Sequence, residues 1–379
     1  MDGGVAVDAT PPAAAQPAAP AAAPAATTAA PAAAVIAAPS QLPARVHEVE
    51  AGIQPGLAAF VEQLPAEGRV WVGRMAGNGD REVLVYVPPG ARDDADFEIV
   101  VHFHGTHSEH IEAKAPGLPK KRWVGWNRLQ QTLDAATALQ AERGHNVALV
   151  YPISAGKRRE PGYSGWWNKE YDRMWMRPGA TAAERERDHD SFPQLLDELR
   201  ALLQQRFGVH PSKLPARVLA EGHSAGGIAL LNVAAVAQAA GEPAAVSEYL
   251  FLDASFQGWA DGCWAAIQAG KQGATVSIVV TKGGIADPFG KADPWCTRLE
   301  ESAALWPALA RGCHGKPHGR SCAELQADAT EWPQYQPWCE AMKDEMRGIE
   351  GVFVHTTRIA HGEQPRHFVG ALELPDDRR

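Results

Sequence analysis

Residues 222–226 have the sequence Gly-His-Ser-Ala-Gly, and this stretch constrains the fold of the chain more than any other. An apolar run at 217–220 precedes it and a helix-forming run at 227–234 follows it. G-x-S-x-G between a strand and a helix is a nucleophile elbow, in which the serine hydroxyl projects clear of a strained corner. The flanking glycines suit this corner because a Cβ atom would clash there. The context predicts that Ser224 is a nucleophile, and the alternative is an incidental turn in a chain with 36 glycines.

The composition is that of a globular protein with a large core. Of the 379 residues, 45% are hydrophobic and 21% are charged. The net charge is −9 and the sequence has no block of lysine and arginine, so we do not expect nucleic acid as a partner. No apolar run approaches the roughly 20 residues that a membrane span requires.

Residues 1–44 differ from the rest of the chain because alanine and proline dominate them. Such a composition cannot bury a core, and it predicts a disordered linker before a catalytic domain at 45–379. The segment lacks the basic start and the continuous apolar run of a signal peptide. Two interpretations stay open, a tether of an exported protein and a disordered tail of a cytosolic one.

The five cysteines all follow the elbow in the chain. They are Cys263, Cys296, Cys313, Cys322 and Cys339. Their clustering predicts one or two disulfides in an oxidising compartment, either periplasmic or extracellular. The odd number leaves at least one thiol outside such pairs. There is no C-x-x-C pair, which argues against a structural zinc site.

Strand-like and helix-like segments alternate from residue 69 onward. The predicted strands lie at 69–74, 82–87, 97–104, 146–152, 217–220, 249–252, 275–281 and 351–357. Predicted helices cover 129–143, 190–207 and 366–372, besides the helix after the elbow. We expect the first two strands to pair antiparallel. Apolar strands that alternate with helices predict an α/β fold, with a mostly parallel sheet of about eight strands covered by helices on both faces.

This order resembles the α/β-hydrolase superfamily over residues 69–374. Two strands come first, the third ends in His104-Gly105, and the elbow follows the fifth. The His-Gly pair is similar to the loops that end the third strand in esterases and lipases. The resemblance implies that nucleophile, acid and base follow one another in that order along the chain.

The base should therefore follow the last strand, where His361 begins a loop. His367 is the rival but falls in the final predicted helix, and His355 falls within a strand. For the acid we favour Asp253, which directly follows the strand at 249–252, where the geometry is rigid. Asp287 is the alternative, because most members of the superfamily carry the acid after the next strand.

Asp293, slightly further along the chain than Asp287, is a third candidate acid.

Two backbone N–H groups should bind the oxyanion that develops during attack. The resemblance implies the N–H of Ala225, next to the nucleophile, and a second N–H from Gly105 or Thr106. The Thr106 hydroxyl could supply another donor.

A second chemistry is suggested by His102, His104 and His107, which are followed closely by His110. The spacing H-x-H-x-x-H matches the ligands of metallo-β-lactamase-like hydrolases, which normally have Asp where this chain has Thr106. The alternative function is thus a zinc-dependent hydrolase. The order of strands and the elbow do not fit that fold, so we predict a structural histidine cluster and no metal or cofactor.

Two long insertions should overhang the active site. The insertion at 154–189 is rich in aromatic residues, and the insertion at 311–346 holds three of the cysteines. We predict that the substrate-binding residues are His104, Tyr163, Trp166 and Trp167. Alternatively, the aromatic rings pack a minor core of their own.

Together these features predict a serine hydrolase, carboxylesterase-like, that works through an acyl-serine intermediate. The triad would be Ser224, His361 and Asp253. The expected partner is a small-molecule or polymer-borne ester, and the alternative substrate is an amide. A non-catalytic α/β-hydrolase-like binding protein is the remaining alternative, although such scaffolds commonly lose the elbow or the base.

Overall fold

The computed structural model describes residues 46–53, 55–65, 67–105, 125–153, 191–241, 245–254, 258–281, 329–330, 332–333, 336, 349–357, 359 and 361–374. The predicted linker at 1–44 and the predicted insertion at 154–189 lie outside these residues, as does nearly all of the insertion at 311–346. The boundaries given to the linker, the domain and both insertions therefore stay predictions.

Within the described residues, nine strands form one sheet. They are β1 (His47–Val49), β2 (Arg69–Met75), β3 (Arg81–Val87), β4 (Phe97–Phe103), β5 (Asn146–Pro152), β6 (Val218–His223), β7 (Val246–Leu252), β8 (Thr275–Thr281) and β9 (Val352–Thr357). Their order across the sheet is β1-β2-β3-β5-β4-β6-β7-β8-β9. Strand β3 is antiparallel to β2 and to β5, and all other neighbours are parallel.

Helices cover both faces of the sheet, as predicted. They are α1 (Pro55–Glu62), α2 (Gly125–Arg143), α3 (Phe192–Gln205), α4 (Gly227–Ala240), α5 (Trp259–Gly270) and α6 (Gln364–Phe368). Apolar residues of α3, α4 and α5 pack in one core cluster, and those of α1, α2 and α6 pack in a second. The predicted mostly parallel α/β architecture is confirmed, with β1 as a ninth strand that the sequence pattern did not indicate.

Helix α3 shows how local sequence sets these elements. The Ser191 side chain accepts a hydrogen bond from the backbone N–H of Gln194 at 3.4 Å, which caps the helix, and Pro193 occupies its first turn. Leucines repeat on one face and are buried: Leu195, Leu196, Leu199 and Leu203. Buried leucines at this spacing attach the helix to the sheet.

The end of the chain differs from the prediction of a helix over 366–372. Helix α6 ends at Phe368, and a short 3-10 turn, Val369–Ala371, follows it. The helix ends there because the backbone of Val369 is extended, with ψ 130°, and that of Gly370 is left-handed, with φ +57°, neither of which an α-helix accommodates. Among the described residues, no helix is both long enough and apolar enough to cross a membrane.

The sheet brings the candidate site residues to one edge. In parallel strands the carboxyl ends share an edge, and ligands bind there in open α/β sheets. Phe103 of β4 pairs with Gly222 of β6, and His223 of β6 pairs with Leu252 of β7. The loop after β4, the elbow after β6 and the residue after β7 therefore leave the sheet side by side.

Candidate active site

Ser224 occupies a sharp corner between β6 and α4. Its φ is +52°, a left-handed conformation that is rare for a residue with a side chain. Such strain persists only where the surroundings enforce it, and it is common at functional sites. The surroundings are tight here, since a Cβ on Gly222 would lie 2.7 Å from the carbonyl group of Gly226. A Cβ on Gly226 would collide with the carbonyl oxygen of Phe103.

Asp253 and His361 are in direct contact. The His361 Nδ1 atom lies 2.6 Å from Oδ2 of Asp253, whose side chain is fully buried. A carboxylate oxygen accepts, so Nδ1–H donates and Nε2 is left to accept a proton. The Asp253 backbone is fixed as well, because its N–H donates to the carbonyl of Val279 at 2.8 Å and its φ is +47°.

His223 links the elbow to the segment that begins at His361. Its Nε2 lies 2.7 Å from the backbone oxygen of His361, and the two imidazole rings have centroids 4.6 Å apart. His223 is 1% exposed. Sequence reasoning missed this residue because it occupies the variable position of G-x-S-x-G, and the only signal was its place beside Ser224.

The loop after β4 lies against the elbow. A Cβ on Gly105 would be 3.0 Å from Cβ of Ser224, so Gly105 and Ser224 are neighbours. The His104 Nδ1 atom donates to the Gly105 carbonyl at 2.8 Å, and its ring stacks on Tyr151 with centroids 5.4 Å apart. His104 is buried, and these contacts match the bracing role that histidines of such loops can have. Its role in substrate binding stays a prediction.

Ala225 directly follows Ser224 and is buried in the 3-10 turn, Ser224–Gly226, that precedes α4. This is the position from which a backbone N–H can face an oxyanion at Ser224. The other predicted donor, Thr106, lies outside the described residues, as do the predicted pocket residues Tyr163, Trp166 and Trp167.

His102, the first residue of the histidine cluster, makes contacts typical of a structural histidine. Its Nδ1 atom lies 2.6 Å from Oε1 of Glu221, and its ring stacks on Tyr151 with centroids 5.3 Å apart. The second oxygen of Glu221 accepts the N–H of Gly370 at 2.7 Å. In the described part of the chain, no three His, Cys, Asp or Glu residues are grouped so as to hold a metal. His107 and His110 lie outside that part.

The two alternative candidates for the base, His367 and His355, lie in surroundings that differ from those of His361. His367 lies in α6, and its Nδ1 atom is 2.9 Å from a carboxylate oxygen of Glu373 near the surface. His355 lies within β9 and pairs in register with Val279. The alternative acids Asp287 and Asp293 lie outside the described residues.

Cys263, the one cysteine in the described ranges, is a free thiol buried in α5. Burial raises the pKa of this thiol well above its usual range, which makes it unreactive. Because the other four cysteines lie outside those ranges, the predicted disulfides stay a prediction.

A cavity of about 560 Å³ opens at the opposite edge of the sheet, where β4, β6 and β7 begin. Among its charged side chains, Glu98 contacts Arg143 at 2.8 Å and His145 at 2.9 Å. This cavity is remote from the elbow and plays no part in the arrangement around Ser224.

The order of the strands and the sharp turn at Ser224 between β6 and α4 define an α/β-hydrolase fold, with Asp253 directly after β7 and His361 after β9. The α/β-hydrolase fold that the sequence predicts is thereby confirmed.

Comparison with known proteins finds no family model that matches and no curated protein that matches. Solved structures do match. A siderophore hydrolase, EstB, from Aspergillus nidulans is 16% identical with a TM-score of 0.40, over 84% of this chain and 98% of that one. Poly(aspartic acid) hydrolase-1 from Sphingomonas sp. KT-1 is 12% identical with a TM-score of 0.38, over 76% of this chain and 90% of that one.

Proposed function

We propose that this protein is a serine hydrolase that cleaves carboxylic esters through an acyl-serine intermediate. The observation that supports it most is the 2.6 Å contact between His361 Nδ1 and Asp253, at the sheet edge where the strained Ser224 follows β6. A serine hydroxyl is a weak nucleophile, and an imidazole held by a carboxylate is the arrangement that activates it.

In the first half of the reaction, Ser224 Oγ attacks the ester carbonyl carbon while His361 Nε2 takes the hydroxyl proton. The buried carboxylate of Asp253 stabilises the imidazolium that results. The oxyanion is bound by the N–H of Ala225 and by an N–H of the loop at Gly105 and Thr106. When the tetrahedral intermediate collapses, His361 gives its proton to the leaving alkoxide and an acyl-serine remains.

In the second half, water replaces the alcohol. His361 removes a proton from the water as it attacks the acyl-serine, and the proton then passes to Ser224 Oγ as the carboxylic acid leaves. An ester is the proposed substrate rather than an amide, since an alkoxide leaves more easily than an amine anion. The substrate is a small-molecule or polymer-borne ester, and the proposed location is periplasmic or extracellular.

The test is covalent labelling with a fluorophosphonate probe, which phosphonylates an activated serine. We expect wild type to be labelled and Ser224→Ala to be unlabelled. His361→Ala should label at least about 10³-fold more slowly, because the general base is lost. The matched control is His367→Ala, which removes another histidine of the same C-terminal segment and should label at the wild-type rate.

EDTA distinguishes the alternatives. Labelling that survives EDTA supports the serine mechanism, whereas activity that EDTA abolishes supports the zinc-dependent hydrolase. A folded wild-type protein that the probe does not label contradicts the proposal and favours a non-catalytic binding protein.

A further inference from the structure

We propose that His223 is a positioning residue, whose side chain sets where His361 lies relative to Ser224. The inference rests on the proposed function, because it takes Ser224 as the nucleophile and His361 as the base. It adds a fourth side chain to the arrangement of nucleophile, acid and base.

The first support is the hydrogen bond from His223 to the backbone of His361. A carbonyl oxygen only accepts, so the His223 Nε2 atom donates across the 2.7 Å contact. His223 is also joined to Ser224 by a peptide bond. One buried side chain therefore connects the backbone of the nucleophile to the backbone of the base.

The second support is that Asp253 and His223 hold different parts of His361. Asp253 holds the imidazole through Nδ1 and so sets its tautomer and rotation. That contact does not fix the backbone that carries the imidazole. The bond from His223 does, and the ring of His223 also packs beside that of His361, with centroids 4.6 Å apart and planes inclined by 36°.

The third support is the confinement of the His223 ring. A Cβ on Gly105 would lie 3.1 Å from Nδ1 of His223, so the loop after β4 closes one side of the ring. With 1% of its surface exposed, the ring has little room to adopt another rotamer. A confined donor can hold its acceptor in one place.

The segment after β9 needs such an anchor. His361 begins a 3-10 turn, His361–Glu363, and the helix that follows, α6, has five residues. Helices this short are not stable by themselves. Glu221 holds the far end of the segment, because its carboxylate accepts the N–H of Gly370 at 2.7 Å. Glu221 and His223 are two residues apart in β6, so their side chains lie on the same face of the strand. This strand therefore holds the segment at both ends.

This second anchor makes a substitution at His223 informative. With Glu221 in place, the far end of the segment keeps its attachment and the protein is expected to fold. Losing the His223 bond then displaces the base at the near end, and a displacement of about 1 Å can lower a rate about 10²-fold.

Three substitutions at His223 distinguish the effect of its hydrogen-bond donor from the effect of its side-chain volume. The amide nitrogen of His223→Gln is as many bonds from Cα as Nε2 of histidine, so this variant keeps a donor for the His361 carbonyl. The nitrogen of His223→Asn is one bond closer and does not reach. His223→Leu keeps apolar volume and has no donor.

The experiment measures fluorophosphonate labelling rates over a range of probe concentrations, alongside thermal unfolding and wild-type and Ser224→Ala controls. We expect His223→Gln to label within about 3-fold of the wild-type rate. His223→Asn and His223→Leu should lose about 10- to 100-fold in the maximal rate of labelling, with the half-saturating concentration unchanged. That split indicates a misplaced base rather than weaker binding of the probe.

A residue with a merely structural role would give another result. In that case the variants would contain fewer folded molecules, but each folded molecule would label at the wild-type rate. Wild-type rates in His223→Leu overturn the positioning role while the proposed function stands. An unlabelled wild type overturns both. If His223→Leu does not fold, equal rates in His223→Asn and His223→Gln overturn the role.

Discussion

Asp253 and His361 are 108 residues apart in the chain, yet Oδ2 of the first lies 2.6 Å from Nδ1 of the second. The contact arises because β7 and β9 run parallel in one sheet, with β8 between them, so that Asp253 and the segment after β9 leave the same edge. Burial of the carboxylate matters, since a charge removed from water interacts more strongly with its partner.

Asp253→Asn should lower ester hydrolysis and fluorophosphonate labelling by at least about 10³-fold, because an amide does not hold the imidazole in the tautomer that accepts a proton. Labelling kinetics of the purified variant measure the effect. Asp94→Asn is the matched control, since the Asp94 side chain is largely exposed. Full activity in Asp253→Asn would instead favour Asp287 as the acid.

Gly105→Ala should impair labelling more than it impairs folding. The added methyl would lie 3.0 Å from Cβ of Ser224 and 3.1 Å from Nδ1 of His223, so the loop must shift away from Ser224. In the proposed mechanism a shifted loop misplaces the oxyanion donors, and we expect a loss of about 10- to 100-fold. Labelling rates compared with thermal unfolding midpoints test this. An unchanged rate would show that the loop absorbs the methyl without moving.

Glu221→Leu should destabilise the protein by about 3 kcal/mol or more, because it leaves His102 and the N–H of Gly370 without a buried acceptor. Urea unfolding followed by circular dichroism gives the free energy. The matched control is Glu373→Ala, which removes a carboxylate from the half-exposed pair with His367 and should cost less than about 1 kcal/mol. Equal losses in the two variants would mean that the buried network adds little stability.

Stability should decline at alkaline pH through Cys263. Burial raises the pKa of this thiol in the folded state, whereas an unfolded thiol ionises at about pH 8.5. Above that pH the unfolded state has lost a proton that the folded state retains. The free energy of unfolding then falls by about 1.4 kcal/mol per pH unit until the folded thiol also ionises.

The comparison of wild type with Cys263→Ala isolates this effect, since the cavity left by the substitution lowers stability by an amount independent of pH. Urea unfolding at pH 7 and pH 9.5 should show the larger decline in wild type. Parallel declines in the two proteins would indicate that the thiol is accessible to solvent.

The elements predicted best from the sequence are those whose residues are buried on both faces of the sheet. Both β5, Asn146–Pro152, and β8, Thr275–Thr281, begin and end where the apolar runs do. The missed β1 is three residues long and half-buried, so it lacks a hydrophobic pattern. The predicted end of the last helix was wrong because contacts between residues distant in sequence decide where it ends. One of them is the hydrogen bond from the N–H of Gly370 to Glu221.

Chain order and strand ends were enough to select Ser224, Asp253 and His361 as candidates, because the motif and the sheet constrain those positions strongly. For His223 the only sequence signal was its place next to Ser224. Its partner is a backbone oxygen 138 residues away, and backbone atoms have no sequence signature. Side chains that act on a distant backbone are found only once the strands are aligned.

The two attachments of the C-terminal segment to β6 also bear on synthesis at the ribosome. A nascent chain that has emerged only as far as β8 contains the elbow and Asp253, but it lacks the carbonyl oxygen of residue 361 and the N–H of residue 370 that bond to β6. In the proposed mechanism such a chain has a nucleophile without a base. Hydrolysis then begins only when the segment docks on a strand made well before it, so that the protein stays inert until its sheet is complete.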